Sequence, residues 1–209
     1  MDQVKRQHGP YRSPQWIDSF CGGAVCLDFV NTVEQLDTAK AEERLTSYDA
    51  LLAWSRARET AAADPLDRLA RVAARNPKVA EAVWRDAIAL RGEMRAFLHR
   101  IEAGETPDPK PMNERLRTLP ALPPLIVGGD AYLPDLPGRD PGEVVWPVLW
   151  SLSALLTSSD AGRLGICGGQ GCGYLFLDHS RNRSRRWCSS EGCGNRERAR
   201  RAYHAHKAD

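Results

Sequence analysis

The sequence predicts an α+β protein, mostly α, in which a helical body with a small β-hairpin is followed by a small treble-clef-like module with four cysteines. Three observations lead to this prediction. Apolar residues recur at steps of three and four through long stretches between residues 46 and 158, as in amphipathic helices. Two short apolar runs flank a glycine turn. Four of the six cysteines lie within residues 163–209, in two close pairs.

The composition is that of a globular protein. The chain has 209 residues, of which 27% are charged and 42% hydrophobic, and this excludes a wholly disordered or fibrous protein. No run of about 18 apolar residues is present, so we expect neither a membrane span nor a membrane partner. The first residues carry no apolar stretch of the kind found in secretory signals, and we therefore expect a cytoplasmic location. In that compartment, cysteines are more often metal ligands, core residues or reactive thiols than disulfide partners.

The elements follow from these patterns in chain order. Residues 1–20 are polar and are predicted to be a flexible segment, whereas residues 21–160 are predicted to form the body. The apolar run from Gly22 to Val33 fits either a buried strand or the start of a buried helix, since periodicity does not decide for so short a run. A hairpin is predicted between Leu122–Val127 and Ala131–Leu133. Five helices are predicted from apolar spacing and from cap and breaker residues: Tyr48 until Pro65 with a cap at Thr46 or Ser47, Pro65 to Asn76, Lys78 to Glu102, Met112 to Leu119, and Glu143 to Ser158.

The charge is distributed unevenly along the chain, although the net charge is only +2. Residues 1–162 hold 19 Lys and Arg against 23 Asp and Glu, whereas residues 163–209 hold 10 against 4. A mildly acidic body therefore precedes a basic C-terminal part. An asymmetry of this kind indicates a polyanionic partner.

The C-terminal cysteines have the spacing of a metal site. Four residues separate Cys167 from Cys172, four separate Cys188 from Cys193, and fifteen lie between the two pairs. This spacing is typical of a four-cysteine zinc site, because two tight turns can aim their sulfurs at one point. Zn²⁺ is the preferred ion, since four thiolates form a closed and soft tetrahedral shell. An iron–sulfur centre is the alternative metal site, and four reduced core cysteines would be no site at all.

The chain between the two pairs must return to the same point. We expect two short strands, Tyr174–Leu177 and Arg185–Cys188, joined by the turn Asp178–Ser184. A module of roughly 45 residues has too little apolar content to fold by burial alone, so loss of one thiolate should unfold it and leave the body intact. Cys21 and Cys26 repeat the four-residue spacing but have no second pair nearby. They are interpreted as small buried residues and not as a third metal-binding pair.

A final helix is predicted after the last of these cysteines. On it Ala199, Ala202, Tyr203 and His206 fall on one stripe, which we expect to pack against the metal-binding turns.

The same module is rich in arginine, a residue suited to bidentate contacts with phosphate and with bases. A solvated face is the alternative, in which Arg186 and Arg196 bond turn carbonyls or Asp178. The candidate nucleic-acid contacts are Arg181, Arg183, Arg185, Arg186, Asn195, Arg196, Arg198, Arg200 and Arg201.

Two segments resemble known families. The run from Phe176 through SRN and SRRWC to Cys188-Ser-Ser-Glu-Gly-Cys-Gly-Asn-Arg196 resembles the CGNR zinc finger. The run Leu27-Asp-Phe-Val-Asn-Thr32 resembles the signature of the ABATE domain that precedes this finger in bacterial proteins. The resemblance implies a stress-linked bacterial transcription regulator whose finger, at residues 163–209, holds Zn²⁺ with its four cysteines and binds DNA. The ABATE-like body, at residues 21–160, would then sense a small-molecule effector or form a homodimer.

Two other kinds of function are open on the sequence. In one, the finger is a structural cap on a module that binds a ligand or a protein but no DNA, and its arginines dock on the acidic body or on a partner. In the other, Asp28 and Asn31 hold a ligand or orient a substrate, although a carboxylate and an amide could equally cap a helix or tie down a turn. No nucleophile–base pair is recognisable, and a closed four-sulfur shell leaves no position for water, so we expect no enzyme.

Overall fold

The computed structural model describes residues 20–34, 39, 41–128 and 130–208. The predicted flexible segment at residues 1–20 lies outside these ranges, apart from its last residue. The fold is α+β and mostly α, as predicted. The helices are α1 (Val25–Val30), α2 (Tyr48–Arg58), α3 (Ala63–Arg75), α4 (Pro77–Glu102), α5 (Lys110–Leu116), α6 (Trp146–Leu156) and α7 (Asn195–Ala208). The strands form three antiparallel pairs: β1 (Val33–Glu34) with β2 (Glu42–Glu43), β3 (Leu125–Gly128) with β4 (Ala131–Pro134), and β5 (Leu164–Ile166) with β6 (Leu175–Leu177).

The apolar run that could have been a strand or a helix forms the short helix α1. Its residues from Cys26 to Val30 are at most 2% exposed. Phe29 meets the ring of Trp54 edge-on, with 5.5 Å between the ring centroids. Because α1 is buried on every side between α4, α6 and β6, its sequence shows no amphipathic period from which a helix could have been predicted.

The ends of two helices differ from the predicted ones. Ser47 caps α2 as expected, since its Oγ accepts a hydrogen bond from the backbone N–H of Ala50 at 3.1 Å. That helix ends at Arg58 and does not reach Pro65, because Glu59 takes a left-handed conformation with φ 55° that ends the helix. The predicted helix over 143–158 is split into a 3₁₀ turn, Pro141–Val145, followed by α6.

The predicted hairpin of the body is present as β3 and β4. Leu125 pairs with Pro134 and Gly128 with Ala131, so the turn lies where the glycines predicted it. Three large side chains of this hairpin, Leu125, Val127 and Tyr132, are 64–73% exposed.

Two predictions for the C-terminal part are wrong. The partner of the strand Leu175–Leu177 is β5, which lies before the first cysteine, and residues 185–188 form no strand. Arg186 contributes only a carbonyl to this edge, which accepts from the N–H of Gly168 at 3.0 Å. The stripe expected to pack against the metal-binding turns is exposed, with Tyr203 at 62%, because α7 leaves the rest of the molecule after its first turn.

The body and the C-terminal part share one hydrophobic core. Leu175 and Leu177 of β6 are 0% and 4% exposed and pack with α1, and Leu164 and Ile166 of β5 pack against the same cluster. The module therefore contributes to the body's core, contrary to the expectation of a detachable appendage. None of the helices in the described ranges combines the length and apolar character that a membrane span requires.

Candidate metal centre

The four cysteines predicted as metal ligands converge on one point. Cys167 follows β5, Cys172 lies three residues before β6, Cys188 follows the long turn, and Cys193 lies in the π-helical turn Ser190–Gly194 at the start of α7. Their sulfurs all lie within 4.8 Å of one another, and each residue is 2–8% exposed. We call these residues the four-cysteine cluster. A buried cluster of four thiols of this kind can hold a metal ion.

Glycine makes the first metal-binding turn possible. The backbone from Cys167 to Tyr174 closes through a hydrogen bond from the N–H of Cys167 to the carbonyl of Tyr174, at 2.8 Å. Gly171 and Gly173 take φ values of 72° and 62°, which a residue with a side chain adopts only with strain. A Cβ on Gly169 would lie 3.0 Å from the sulfur of one cysteine of the cluster, so a side chain here would press on that sulfur.

The surroundings of the sulfurs fit the deprotonated form that a metal ion requires. The backbone N–H groups of Cys188 and Gly169 donate to the sulfur of Cys167 at 3.2 and 3.4 Å, and Arg196 Nη2 donates to the sulfur of Cys193 at 2.9 Å. Four thiolates this close repel one another unless a cation lies between them. The donor set therefore fits a metal ion.

Arg185, predicted as a nucleic-acid contact, is used inside the module. Its Nε donates to the carbonyl of Trp187 at 2.9 Å and its Nη1 to that of Leu177 at 3.1 Å. Its Nη2 donates to the carbonyls of Cys21, at 3.1 Å, and of Cys188. The guanidinium also lies 4.5 Å from the ring centroid of Phe176. Bonding to turn carbonyls was predicted for Arg186, and in the structure Arg185 makes these bonds.

Asp178, the other partner foreseen inside the module, organises the turn from 178 to 184. Its carboxylate accepts from the N–H of Ser180 at 2.8 Å and of Arg185 at 2.9 Å. Both donors are backbone groups, so the arginine side chains of the turn remain outside this arrangement. Of these, Arg183 has φ 48° and donates through Nη1 to the carbonyl of Gly162 at 3.2 Å.

The first turn of α7 is fastened by its own side chains. Asn195 donates to the carbonyl of Glu191 at 2.9 Å and accepts from Arg198, and Arg200 pairs with Glu197 at 2.8 Å. Glu197 is 6% exposed because its carboxylate also accepts from the N–H of Gln170, at 3.3 Å. These contacts leave little of the first turn free for a partner.

Three arginines of the predicted nucleic-acid set point away from the molecule. Arg181, Arg186 and Arg201 are exposed, and within the described part of the chain their side chains make no hydrogen bond. Arg198 is also exposed, although it donates to the carbonyl of Ser190 at 3.2 Å. The structure thus divides the nine predicted contacts into an internal group and an outward group.

Asn31, predicted as a ligand-binding residue, joins the body to the metal-binding module. It is 0% exposed, and its side-chain amide donates to the carbonyl of Leu175 at 2.8 Å and accepts from the N–H of the same residue at 2.9 Å. Both polar atoms of the amide are therefore occupied by β6. A ligand at Asn31 remains an untested prediction.

Asp28, the second predicted ligand-binding residue, ties down the chain before α1. One carboxylate oxygen accepts from the N–H of Gly22 at 2.8 Å and the other from Arg58 Nε at 2.6 Å. Burial raises the pKa of Asp28 to about 6, and the charge of Arg58 acts in the opposite direction. The sequence left open whether this carboxylate binds a ligand or holds a turn, and in the structure it holds a turn.

Comparison with protein families matches almost all of the described chain. The ABATE family, described as “Putative stress-induced transcription regulator”, matches residues 23–159. The chain belongs to the ABATE family. The CGNR zinc finger matches residues 163–206, directly after it. No curated protein matches the chain. We refer below to the ABATE body and the CGNR finger with these bounds.

The rest of the ABATE signature is structural as well. Thr32 is 0% exposed, and its hydroxyl donates to the carbonyl of Phe29 at 2.7 Å and accepts from Arg91 Nη1 at 2.9 Å. Arg91 comes from α4 and also binds the carboxylate of Glu43 on β2, with Nη1 at 2.7 Å from Oε1. The signature therefore links α1 to α4, to β2 and to the CGNR finger.

The sequence did not predict which other residues border the four-cysteine cluster. Cys26 lies in the hydrophobic core, as expected, but Cys21 is half-buried and packs against the cluster itself. Arg44 and Tyr174 line a cavity of about 370 Å³ beside the same cysteines. The repeated four-residue spacing suggested that Cys21 and Cys26 share one environment. No sequence signal placed Cys21 or Arg44 next to residues more than a hundred positions away.

Proposed function

We propose that the protein is a transcription regulator that binds DNA through its CGNR finger, with Zn²⁺ in the four-cysteine cluster and the ABATE body as the regulatory part. The observation that carries the proposal is the exposure of α7. From Arg198 onward every described side chain of this basic helix is exposed, and the outward arginines of the turn add to the same basic part of the chain.

The spacing of the sulfurs supports zinc over an iron–sulfur centre. At a Zn–S distance of about 2.3 Å, the edge of a tetrahedron of four sulfurs is about 3.8 Å. The sulfur of Cys188 lies 3.7 Å from those of Cys172 and Cys193. A multi-iron cluster would have to fit between the sulfurs, and separations below 4.8 Å leave room for one ion.

The charge and shape of the finger suit a nucleic-acid groove. Residues 163–209 carry 10 basic against 4 acidic side chains, and a tetrathiolate zinc centre of charge −2 still leaves a positive surface. The 14 residues of α7 span about 21 Å, and a helix of this kind enters a major groove about 12 Å wide. Arg181, Arg186 and Arg201 then serve as phosphate contacts along the groove. Asn195 and Arg196 are less suited to bases, because both are already bonded within the finger.

The test is a binding titration of the full-length, zinc-loaded chain on labelled random-sequence duplex DNA at several salt concentrations. We expect the double variant Arg186→Ala, Arg201→Ala to bind less tightly to all duplexes. The slope of log K against log salt should fall by about two units, at about 0.9 for each lost phosphate contact. The matched control is Arg71→Ala with Arg75→Ala, two exposed arginines of α3 in the body. No affinity at low salt, or equal losses in both double variants, would overturn the proposal.

A second function is favoured by one specific observation. The strands of the finger complete the body's core, and Arg185 is used internally, as expected if the finger is a structural cap on an interaction module. In that case the metal-loaded chain binds no DNA, while removal of the metal still unfolds part of the core. The same titration, read beside a thermal melt with and without a chelator, separates the two functions.

We also propose that the protein is not an enzyme. Four protein thiolates fill the coordination shell of a tetrahedral ion, so no position is open for water or substrate. A hydrolytic activity that the metal-loaded protein shows and the metal-free protein lacks would contradict this proposal.

A further inference from the structure

A fifth thiol lies beside the four-cysteine cluster. Cys21 belongs to the segment before α1 and packs against the cluster that contains Cys188. The four cluster cysteines are at most 8% exposed, whereas Cys21 is only half-buried. Cys21 is therefore the thiol of this group that solvent reaches first.

The backbones of the two residues are held together independently of their sulfurs. Nη2 of Arg185 donates both to the carbonyl of Cys21, at 3.1 Å, and to the carbonyl of Cys188. The adjoining Gly22 accepts at its carbonyl from the N–H of Leu177, at 2.9 Å. One guanidinium nitrogen thus bridges two cysteines that are 167 positions apart in sequence. The two residues are therefore held side by side in the fold.

We propose that Cys21 and Cys188 form a redox-modification site, at which a peroxide oxidises the pair to a disulfide and removes one ligand from the metal. The proposal rests on the metal-binding part of the proposed function and not on DNA binding. A solvent-accessible thiol beside a second thiol that can resolve its oxidised form is the arrangement found at peroxide-sensitive cysteines.

The chemistry balances with the peroxide as the oxidant. The sulfur of Cys21 attacks one peroxide oxygen, the O–O bond breaks, and Cys21 becomes a sulfenic acid while one water leaves. The sulfur of Cys188 then attacks the sulfur of Cys21, the S–O bond breaks, and hydroxide leaves and takes up a proton as the second water. Two thiols are oxidised by two electrons and one peroxide is reduced to two waters. The cluster then retains three thiolates, too few for a closed tetrahedral shell.

The test uses full-length, zinc-loaded protein treated with hydrogen peroxide and then with an alkylating reagent. Mass spectrometry of the digest should find a peptide containing Cys21 linked to a peptide containing Cys188. A chromogenic chelator followed in parallel should report metal release on the same time course, and a thiol reductant with added Zn²⁺ should reverse both.

Two variants test whether Cys21 is the thiol that reacts. Cys21→Ser should release metal about tenfold more slowly than the unmodified chain, because the resolving thiol has lost its partner. Cys26→Ala is the control, since Cys26 is fully buried and burial raises the pKa of its thiol to about 11. It should behave as the unmodified chain does. Equal release from Cys21→Ser and the unmodified chain, or a disulfide confined to the cluster, would overturn the proposal. Loss of DNA binding alone, without the linked peptide, would count against it as well.

Discussion

The link between Asn31 and Leu175 gives the sharpest test of how the ABATE body supports the CGNR finger. In Asn31→Ala, the buried N–H and carbonyl of Leu175 both lose their partner. A buried backbone group left without a hydrogen bond costs about 1–3 kcal/mol, so two such groups should lower the free energy of unfolding by about 4 kcal/mol. Since a domain's whole stability is about 5–15 kcal/mol, this is a large fraction of it.

The assay is urea unfolding of the metal-loaded chain, followed by far-UV circular dichroism, with a thermal melt beside it. At about 2–4 °C for each kcal/mol, the midpoint should fall by about 10 °C. Asn113→Ala is the matched control, because Asn113 is an exposed amide on α5 and its loss should change stability by about 0.5 kcal/mol or less. If Asn31→Ala lowered the free energy of unfolding by less than about 1 kcal/mol, the reasoning would be refuted. Water would then hydrogen-bond the backbone of Leu175 as well as the amide does.

Three further predictions concern pH, the internal arginine and the metal-binding turn. Because the pKa of Asp28 is raised to about 6, its protonated form is favoured in the folded state, and its contribution to stability should fall by about 2 kcal/mol as pH rises from 4 to 6. Asp28→Asn should remove that component from a plot of unfolding free energy against pH, and an unchanged plot would contradict the assignment. Arg185→Ala should lower the free energy of unfolding by about 3 kcal/mol in denaturant titrations, whereas the exposed Arg181→Ala should leave it unchanged, and similar effects would contradict the internal role. Gly169→Ala should weaken zinc binding in a chelator competition by about tenfold or more, since its Cβ would lie 3.0 Å from a cluster sulfur. Gly168→Ala, whose Cβ would meet nothing closer than 3.5 Å, should bind as tightly as before, and equal affinities in the two variants would be evidence against the packing argument.

The sequence predicted the parts of the site that depend on local spacing. The four cysteines converge because each pair lies on a tight turn, and that property can be read from four-residue spacings and glycines. The hairpin β3–β4 and the cap at Ser47 were predicted for the same reason, since a turn or a cap is decided by a few neighbouring residues.

The sequence could not predict what depends on distant partners. The sequence suggested residues 185–188 as the neighbour of β6, but the actual neighbour, β5, also buries Leu164 and Ile166 against the body. The arginines of the finger look alike in sequence, yet Arg185 donates to several backbone carbonyls at once. The roles of Asp28 and Asn31 likewise depend on groups far along the chain.

The order of synthesis gives the bond from Asn31 to Leu175 a further consequence. The two residues are 144 positions apart, and at about 5–20 residues per second the ribosome needs on the order of ten seconds to pass from one to the other. During that interval the amide of Asn31 and the part of α1 that packs on β6 have no native partner, and local collapse cannot supply one. A chain truncated before Leu175 would remain in this incomplete state, which a cell's quality-control proteases would recognise as unfolded.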